Sequence, residues 1–251
     1  MEVHHHSHPA NSWSGTRKKW THYFWEFLML FLAVFCGFLA ENQREHMIEN
    51  QREKKYIRSL YEDLKRDSAA LNNEIDYRSG LDQAARSLIT DLDTAAKIKY
   101  TDSVYWHANH LSANPVFKYS NATIEQLKNS GLLRLIRKKE VVDTIIDYDM
   151  SVHWVFDREE AEKEIRPGYR KAISELLNGE FLIILADQEE KNNYQPINLP
   201  FLTTNPEILN RIKGAAAQLF NLNGIIINNL KDLMKKRNKL AEQLRKEYHL
   251  K

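Results

Sequence analysis

The feature that most constrains this chain is an apolar block near its start. From Phe27 to Ala40 no residue carries a polar side chain. As helix, those 14 residues cover about 21 Å, less than the roughly 30 Å hydrocarbon core of a bilayer. The flanks extend the segment. Trp20, Tyr23, Phe24 and Trp25 form an aromatic belt, preceded by Arg17, Lys18 and Lys19. From Trp20 to Ala40 there are 21 residues, about 31 Å of helix, with one charge at Glu26. The reading is a transmembrane helix. Cleavage as a signal peptide is disfavoured, because Phe38, Leu39 and Ala40 lack the small-x-small pattern. Cys36 is preceded by Phe35, which does not suit a lipoprotein signal.

The cluster Arg17, Lys18 and Lys19 predicts a cytoplasmic N-terminus, with Glu41, Glu45 and Glu49 beyond the other end. Arg52, Lys54, Lys55 and Arg58, further out, pull the opposite way. The span has two faces at 100° per residue. Phe24, Phe27, Phe31, Phe35 and Phe38 form one stripe, and Glu26, Leu30, Ala33, Gly37 and Ala40 lie roughly opposite. Ala33 and Gly37 make a small-xxx-small pair that lets helices approach closely. A carboxylate in the membrane zone usually faces a partner or water. This second face is therefore expected to pack against another membrane helix.

Beyond the span no proline interrupts the chain before Pro115. A heptad-like seam runs through Ile57, Leu60, Leu64, Leu71, Leu81, Ala85, Leu88 and Leu92, with Asp67, Glu74 and Arg78 breaking it. Gly80, beside these polar positions, is expected to mark a bend. Near the other end, Asn205 followed by Pro206 reads as a helix start. Leu209, Ile212, Ala216, Leu219, Ile226, Leu230, Leu233, Leu240 and Leu244 follow, with Asn223 and Arg237 as polar members. Two long helices with one apolar stripe each need a partner, and antiparallel pairing is the simplest solution. Lys231 to Lys251 hold eight Lys/Arg and three Asp/Glu. Such a tail suits either an anionic lipid surface or a solvated helix end.

Between these helices, Thr123 and Gln126 read as a capping box, Ser130 and Gly131 as a helix end, and Pro167 and Gly168 as a terminator. The run from Phe181 to Leu185 is open to strand or helix. The stretch Thr123–Ile136 with Asp143–Tyr148 resembles an uncharacterised bacterial family of single-pass membrane proteins carrying a domain of unknown function. The family pattern is also met at the N-terminal span, at Glu41 and in Tyr56, Ile57, Leu60, Asp63 and Leu64. The His-rich leader and the bulky aromatic span depart from it. The resemblance implies architecture and offers no catalytic residues.

Composition adds exclusions. Lys+Arg 36 against Asp+Glu 34 argues against a nucleic-acid binder. One cysteine permits no intrachain disulfide. No phosphate loop, nucleophile elbow or paired-histidine metalloprotease motif is present. His4, His5, His6 and His8 are weak metal candidates, and His107 with His110 lacks a completing acidic residue. The acidic run Asp157, Glu159, Glu160, Glu162 and Glu164 reads as a solvated helix face.

The expected fold is all-α: an N-terminal transmembrane helix continues into a long helical stalk, which pairs with a long antiparallel C-terminal helix beside a small helical head. By residue, this gives a disordered His-rich tail (1–16), the transmembrane helix with its flank (17–41), the stalk (42–100), the head (101–204) and the return helix (205–251). The expected function is a non-enzymatic scaffold or accessory protein of a bacterial envelope complex, without cofactor. It would be homo-oligomeric or part of that complex, held in the inner membrane with the helical domain in the periplasm. The alternative is an extracytoplasmic small-molecule sensor lined by Trp106, His107, Tyr148 and Trp154. Residues 1–19 are too short for an output module, so such a sensor is expected to signal through a membrane partner.

Overall fold

Heptad spacing on three helices explains how the chain packs. The computed structural model describes residues 16–93, 101–190 and 200–250, and among them every regular element is helical. The elements are α1 (Thr16–Asp93), α2 (Asp102–Leu111), α3 (Ala122–Asn129), a 3₁₀ turn (Leu132–Leu135), α4 (Lys139–Ser174), α5 (Gly179–Glu190) and α6 (Pro206–Tyr248). The chain divides into two units, Met1–Glu53 and Lys54–Lys251.

In the first unit, α1 is apolar and bare from Trp20 to Ala40. The side chains from Trp20 to Ala40 are exposed apart from the half-buried Leu28. The Phe27 and Phe31 rings stack at 6.3 Å and the Phe31 and Phe35 rings at 5.9 Å, as the 3- and 4-residue spacing of the aromatic stripe requires. This helix is long and apolar enough to cross a membrane, and none of its apolar window is buried. The His-rich leader, including His4, His5, His6 and His8, lies outside the described residues.

In the second unit, α1, α4 and α6 form a three-helix bundle. Arg237 Nε donates to the Leu64 carbonyl at 2.6 Å, and Asn223 Nδ2 to the Arg78 carbonyl at 2.8 Å. Near Asp93 the α6 partner is Lys213. Numbers rise along α1 as they fall along α6, so the two long helices pack antiparallel, as their stripes predicted. Against α4 the numbers rise together: Tyr148 meets Asp67, and Glu159 meets Arg78. The α1 seam is buried through Ile57, Leu60, Leu64, Leu71, Leu81, Ala85, Leu88 and Leu92, and Asp67, Glu74 and Arg78 complete its 3- and 4-residue steps. On α4 the matching seam is Ile145, Tyr148, Val152, Val155, Glu159, Glu162, Arg166, Tyr169 and Ile173. One apolar cluster surrounds Leu64, Ile145 and Leu230, and α3 packs on it through Ile124 and Leu127. A second surrounds Leu88, Tyr169 and Leu219, and α2 packs on it through Val104, Tyr105 and Ala108. The segment expected as a separate head thus contributes α4 to the same core as the stalk and the return helix.

Several local expectations change. α1 runs through Gly80 without a break, because the polar positions around it are paired across the bundle. α4 continues past Pro167 and Gly168 to Ser174. Proline removes one helix hydrogen bond, but packing holds both sides: Arg166 Nη1 donates to the Leu111 carbonyl and Tyr169 Oη to the Ala108 carbonyl at 3.0 Å. The capping box at Thr123 does not form. The cap of α3 is Asn121, and the Thr123 N–H donates to Asp63 Oδ2 of α1 at 3.3 Å. The run at Phe181–Leu185 is helical, within α5. Other signals hold: Asn205 Oδ1 accepts from the Glu207 N–H at 2.9 Å with Pro206 at the first helical position, and Gly131 follows α3 at φ +66°.

The two glycines should respond oppositely to a methyl group. At Gly80 an added Cβ meets only His110 Nε2 at 3.6 Å, inside a helix. Gly80→Ala should therefore stabilise by about 0.5–1 kcal/mol. Gly131→Ala should destabilise by about 1 kcal/mol, since its left-handed φ penalises any Cβ. Urea unfolding of the detergent-solubilised chain, followed by far-ultraviolet circular dichroism, measures both; a loss at Gly80 would contradict the unbroken helix.

Candidate functional site

The most distinctive arrangement in the second unit is a buried charged centre between the two apolar clusters. Arg78 is fully buried. Its Nε donates to Glu74 Oε1 at 2.8 Å, its Nη2 to Glu159 Oε1 at 2.9 Å, and its Nη1 to Glu162 Oε2 and Asn223 Oδ1, both at 3.0 Å. Glu162 is shared, since its other oxygen accepts from Arg166. Asn223 Nδ2 also donates to Asp82 Oδ1 at 2.7 Å. Glu74 and Arg78 of α1, Glu159 and Glu162 of α4 and Asn223 of α6, which interrupt the apolar stripes, therefore meet in one network. Glu159 and Glu162 do not lie on the solvated face that the acidic run suggests. They are 4% and 2% exposed, because they continue the 3- and 4-residue stripe that Val152 and Val155 begin.

Burial dominates the electrostatics. It pushes the Glu159 carboxyl up, opposed by the Phe117 N–H and by Arg78. It pushes Glu74 up in the same way, opposed by Arg78. For Arg78 burial acts downward, but Glu162, Glu74 and Glu159 together outweigh it and its proton is held more tightly than usual. For Arg166 burial prevails over Glu162 and the net direction is down. Removing one partner from such a set leaves an uncompensated charge in the core.

Three carboxylates also hold the segment between α2 and α3. The N–H groups of Phe117, Ser120 and Thr123 donate to Glu159, Asp67 and Asp63 at 2.9, 2.7 and 3.3 Å. Asp63 thereby caps α3 from another helix, where a carboxylate complements the helix dipole. Tyr56 Oη accepts from Gln126 Nε2 at 3.3 Å beside them. Ile57, Leu60 and Leu64 of α1 thus meet Ile124, Leu127, Ile136, Ile145 and Tyr148 in one cluster. Tyr148 Oη donates to Asp67 Oδ2 at 2.7 Å. Burial, then Asp67, pushes the Tyr148 hydroxyl up, which keeps it a donor. Burial, reinforced by Asp63, pushes the Asp67 carboxyl up against the Ser120 and Tyr148 hydrogen bonds.

The four ligand-lining candidates do not share a cavity. Tyr148 is fully buried against Asp67 in the first cluster. Trp154 is 56% exposed in a groove between α4 and α6 with Arg158, Ile225, Asp232 and Lys236. Trp106 stacks on His110 at 4.9 Å on α2, and His107 Nδ1 lies 3.4 Å from Asp91 Oδ2. A second groove, of about 430 Å³, opens between α4 and α6 where Gly168, Ala172, Gly214 and Ala215 leave room. Among the described residues no three His, Cys, Asp or Glu side chains are placed to hold a metal ion. In the first unit Glu26, Leu30, Ala33, Gly37 and Ala40 fall on one exposed face of α1, and an added Cβ at Gly37 meets nothing within 4 Å. Glu26 lies 3.7 Å from His22 one turn earlier. No family model matches the chain, and no similar curated protein or similar solved structure is found.

Two substitutions test this centre. Arg78→Met should cost about 3–5 kcal/mol, the penalty for stranding a buried partner. Adding Glu159→Gln should recover part of it, since a neutral amide still accepts from Phe117; denaturant unfolding of the single and double variants measures the coupling. For Asp67, the folded state binds the proton more tightly than the unfolded state, so stability falls as pH rises above the ordinary carboxylate range of about 4. Asp67→Asn removes that dependence. Relative to wild type the variant should gain stability as pH rises above about 4, read as a rising difference in Tm.

Proposed function

We propose that this chain is a membrane-anchored, non-enzymatic scaffold or accessory protein of a bacterial envelope complex. The observation that carries the reading is the apolar helix of the first unit, whose aromatic and aliphatic side chains are all but bare. An uncovered surface of that size is stable in lipid and costly in water. On this reading Arg17, Lys18 and Lys19 hold the N-terminus on the cytoplasmic side of the inner membrane and the helical bundle lies in the periplasm. Membership of the bacterial family that the sequence resembles is part of the same proposal.

The scaffold role rests on surfaces. The charged groups of the bundle core are engaged with one another. Outside it, Ile146, Met150 and Trp154 stand exposed at four-residue steps on α4, with Ile225 beside Trp154 across the groove. Exposed apolar stripes of this kind suit a protein partner. In the membrane, the face built on Glu26, Ala33 and Gly37 suits a second helix, either a copy of this one or a complex component.

In native membranes, crosslinking should capture oligomers or a reproducible partner set identified by mass spectrometry. Gly37→Ile and Glu26→Ala should each reduce that capture by about threefold to thirtyfold, the equivalent of about 0.6–2 kcal/mol of helix association. Unchanged capture in both variants would remove the assigned face. A lone chain whose bundle gains thermal stability from a metabolite would instead favour the sensor reading, and release of the chain by alkaline carbonate would overturn the anchor.

A further inference from the structure

The bundle of the second unit has two unlike ends, and one of them is basic. Three segments meet there. α1 contributes Lys54, Lys55 and Arg58, all exposed. The corner between the 3₁₀ turn and α4 contributes Arg134 and Lys139, also exposed. The end of α6 contributes Arg245 and Lys246. The convergence is fixed by contacts: Lys138 Nζ donates to the Glu247 carbonyl at 3.0 Å and sits 5.3 Å from the centre of the Tyr248 ring, while Arg58 and Tyr61 share a groove with Tyr248, His249 and Leu250. The Ile57, Ile136 and Leu244 side chains lie beneath in the first cluster.

Acidic groups do not cancel this charge. Glu62 pairs with Lys65 and Glu247 with Lys138, and the exposed carboxylates Glu140, Asp143 and Glu242 are fewer than the cations around them. Lys54, Lys55, Arg58, Arg134, Lys139 and Lys246 make no ion pair with any described residue. The C-terminus of α6 adds its own negative dipole end, but only within its last turn. The opposite end of the bundle differs: Asp91, Asp93, Glu180 and Glu207 lie in the flanking turns of α1, α5 and α6, with Asp93 paired to Lys213 and Asp91 beside His107. A net charge of +2 for the whole chain conceals this asymmetry.

We propose that this basic end is a docking face for an anionic lipid surface. The inference rests on the membrane-anchor reading and adds the face through which the bundle meets the bilayer. Lys54 follows Ala40, the last residue of the apolar block, by 14 residues. Even fully extended, that length of chain reaches only about 50 Å. The tether therefore gives the basic end a high effective concentration of lipid headgroups. A cluster of Lys and Arg from separate segments, without carboxylate partners, is the chemistry that an anionic headgroup layer attracts, and each cation strengthens docking by about fivefold. The same attraction fades as salt shortens the Debye length.

The test uses the full chain reconstituted in nanodiscs of phosphatidylcholine alone or with phosphatidylglycerol. In a Cys36→Ser background, a solvatochromic fluorophore is placed at the basic end by Lys139→Cys, or at the opposite end by Glu207→Cys. The expected result is a blue shift at position 139 in phosphatidylglycerol discs only, abolished by about 0.5 M salt, with position 207 unmoved. Combining Lys54→Gln, Arg58→Gln and Lys246→Gln should weaken docking by about a hundredfold and remove the shift. Equal emission in both lipids, with the chain retained in the disc, would overturn the docking face and leave the anchor standing. A chain that does not stay in the disc would overturn the anchor and this inference with it. Binding of a soluble polyanion such as RNA at the basic end, without response to lipid, would assign the face to another partner and also overturn the inference.

Discussion

The pairing of Arg78 with Glu74, Glu159 and Glu162 is the constraint on which the bundle depends. Apolar heptads specify that helices associate, yet they tolerate sliding, because one Leu substitutes readily for another seven residues away. The charged centre does not. Moving α4 by one heptad, about 10.5 Å, would bring either Arg166 or Val152 to the level of Glu159. The first sets arginine against arginine, and the second leaves Arg78 in an apolar layer. On α6 the same slip would replace Asn223 with Ala216 or Leu230. Burial of apolar surface in the two flanking clusters supplies the driving force, and the polar layer between them discriminates among registers. Such a layer need not add net stability to do so.

The same logic reaches the shorter elements. The crossing from α2 to α3 contains little regular structure between Leu111 and Ala122, so its N–H groups need acceptors from elsewhere. Asp63, Asp67 and Glu159 provide them from α1 and α4. Glu159 therefore belongs both to the register layer and to the support of this crossing. Arg166 links the layer to α2 through the Leu111 carbonyl, and Tyr169 repeats the link one turn later. With anchors on both sides of Pro167, the helix has no route to end there, and the lost hydrogen bond is absorbed within a packed element.

Much of this architecture was legible in the stripes of α1 and α6, whose buried residues coincide with the apolar positions at 3- and 4-residue spacing. The polar members were legible too, but as interruptions. Their meaning depends on which residues face them, and a single stripe does not contain that information. Glu159 and Glu162 were hidden for a related reason. Five acidic residues between Asp157 and Glu164 resemble a solvated face, and only the phase inherited from Val152 and Val155 separates the buried two from the rest. The ligand-lining group dissolved on geometry of the same kind. Tyr148 and Trp154 are six residues apart, which at 100° per residue turns them about 120° from one another around α4. One points into the core at Asp67 and the other to a surface groove. The cap of α3 was unreadable locally, because its carboxylate comes from Asp63, 60 residues earlier in the chain.

The division between inside and outside bears on what such a protein can do. Within the bundle the carboxylates of the centre are engaged by guanidinium, amide or backbone N–H groups. Among the described residues the large exposed surfaces are the bare apolar helix of the first unit, the Ile146, Met150 and Trp154 stripe, and Lys54, Lys55, Arg58, Arg134 and Lys139 at one end of the bundle. In the proposals above these surfaces are matched to acyl chains, an apolar protein face and an anionic layer, respectively. A fold that uses its polar chemistry to fix three helices in one register, and leaves exposed apolar and charged groups on the rim, is consistent with the scaffold role proposed above. In that proposed role rigidity matters, because a scaffold transmits placement only as well as its helices resist sliding.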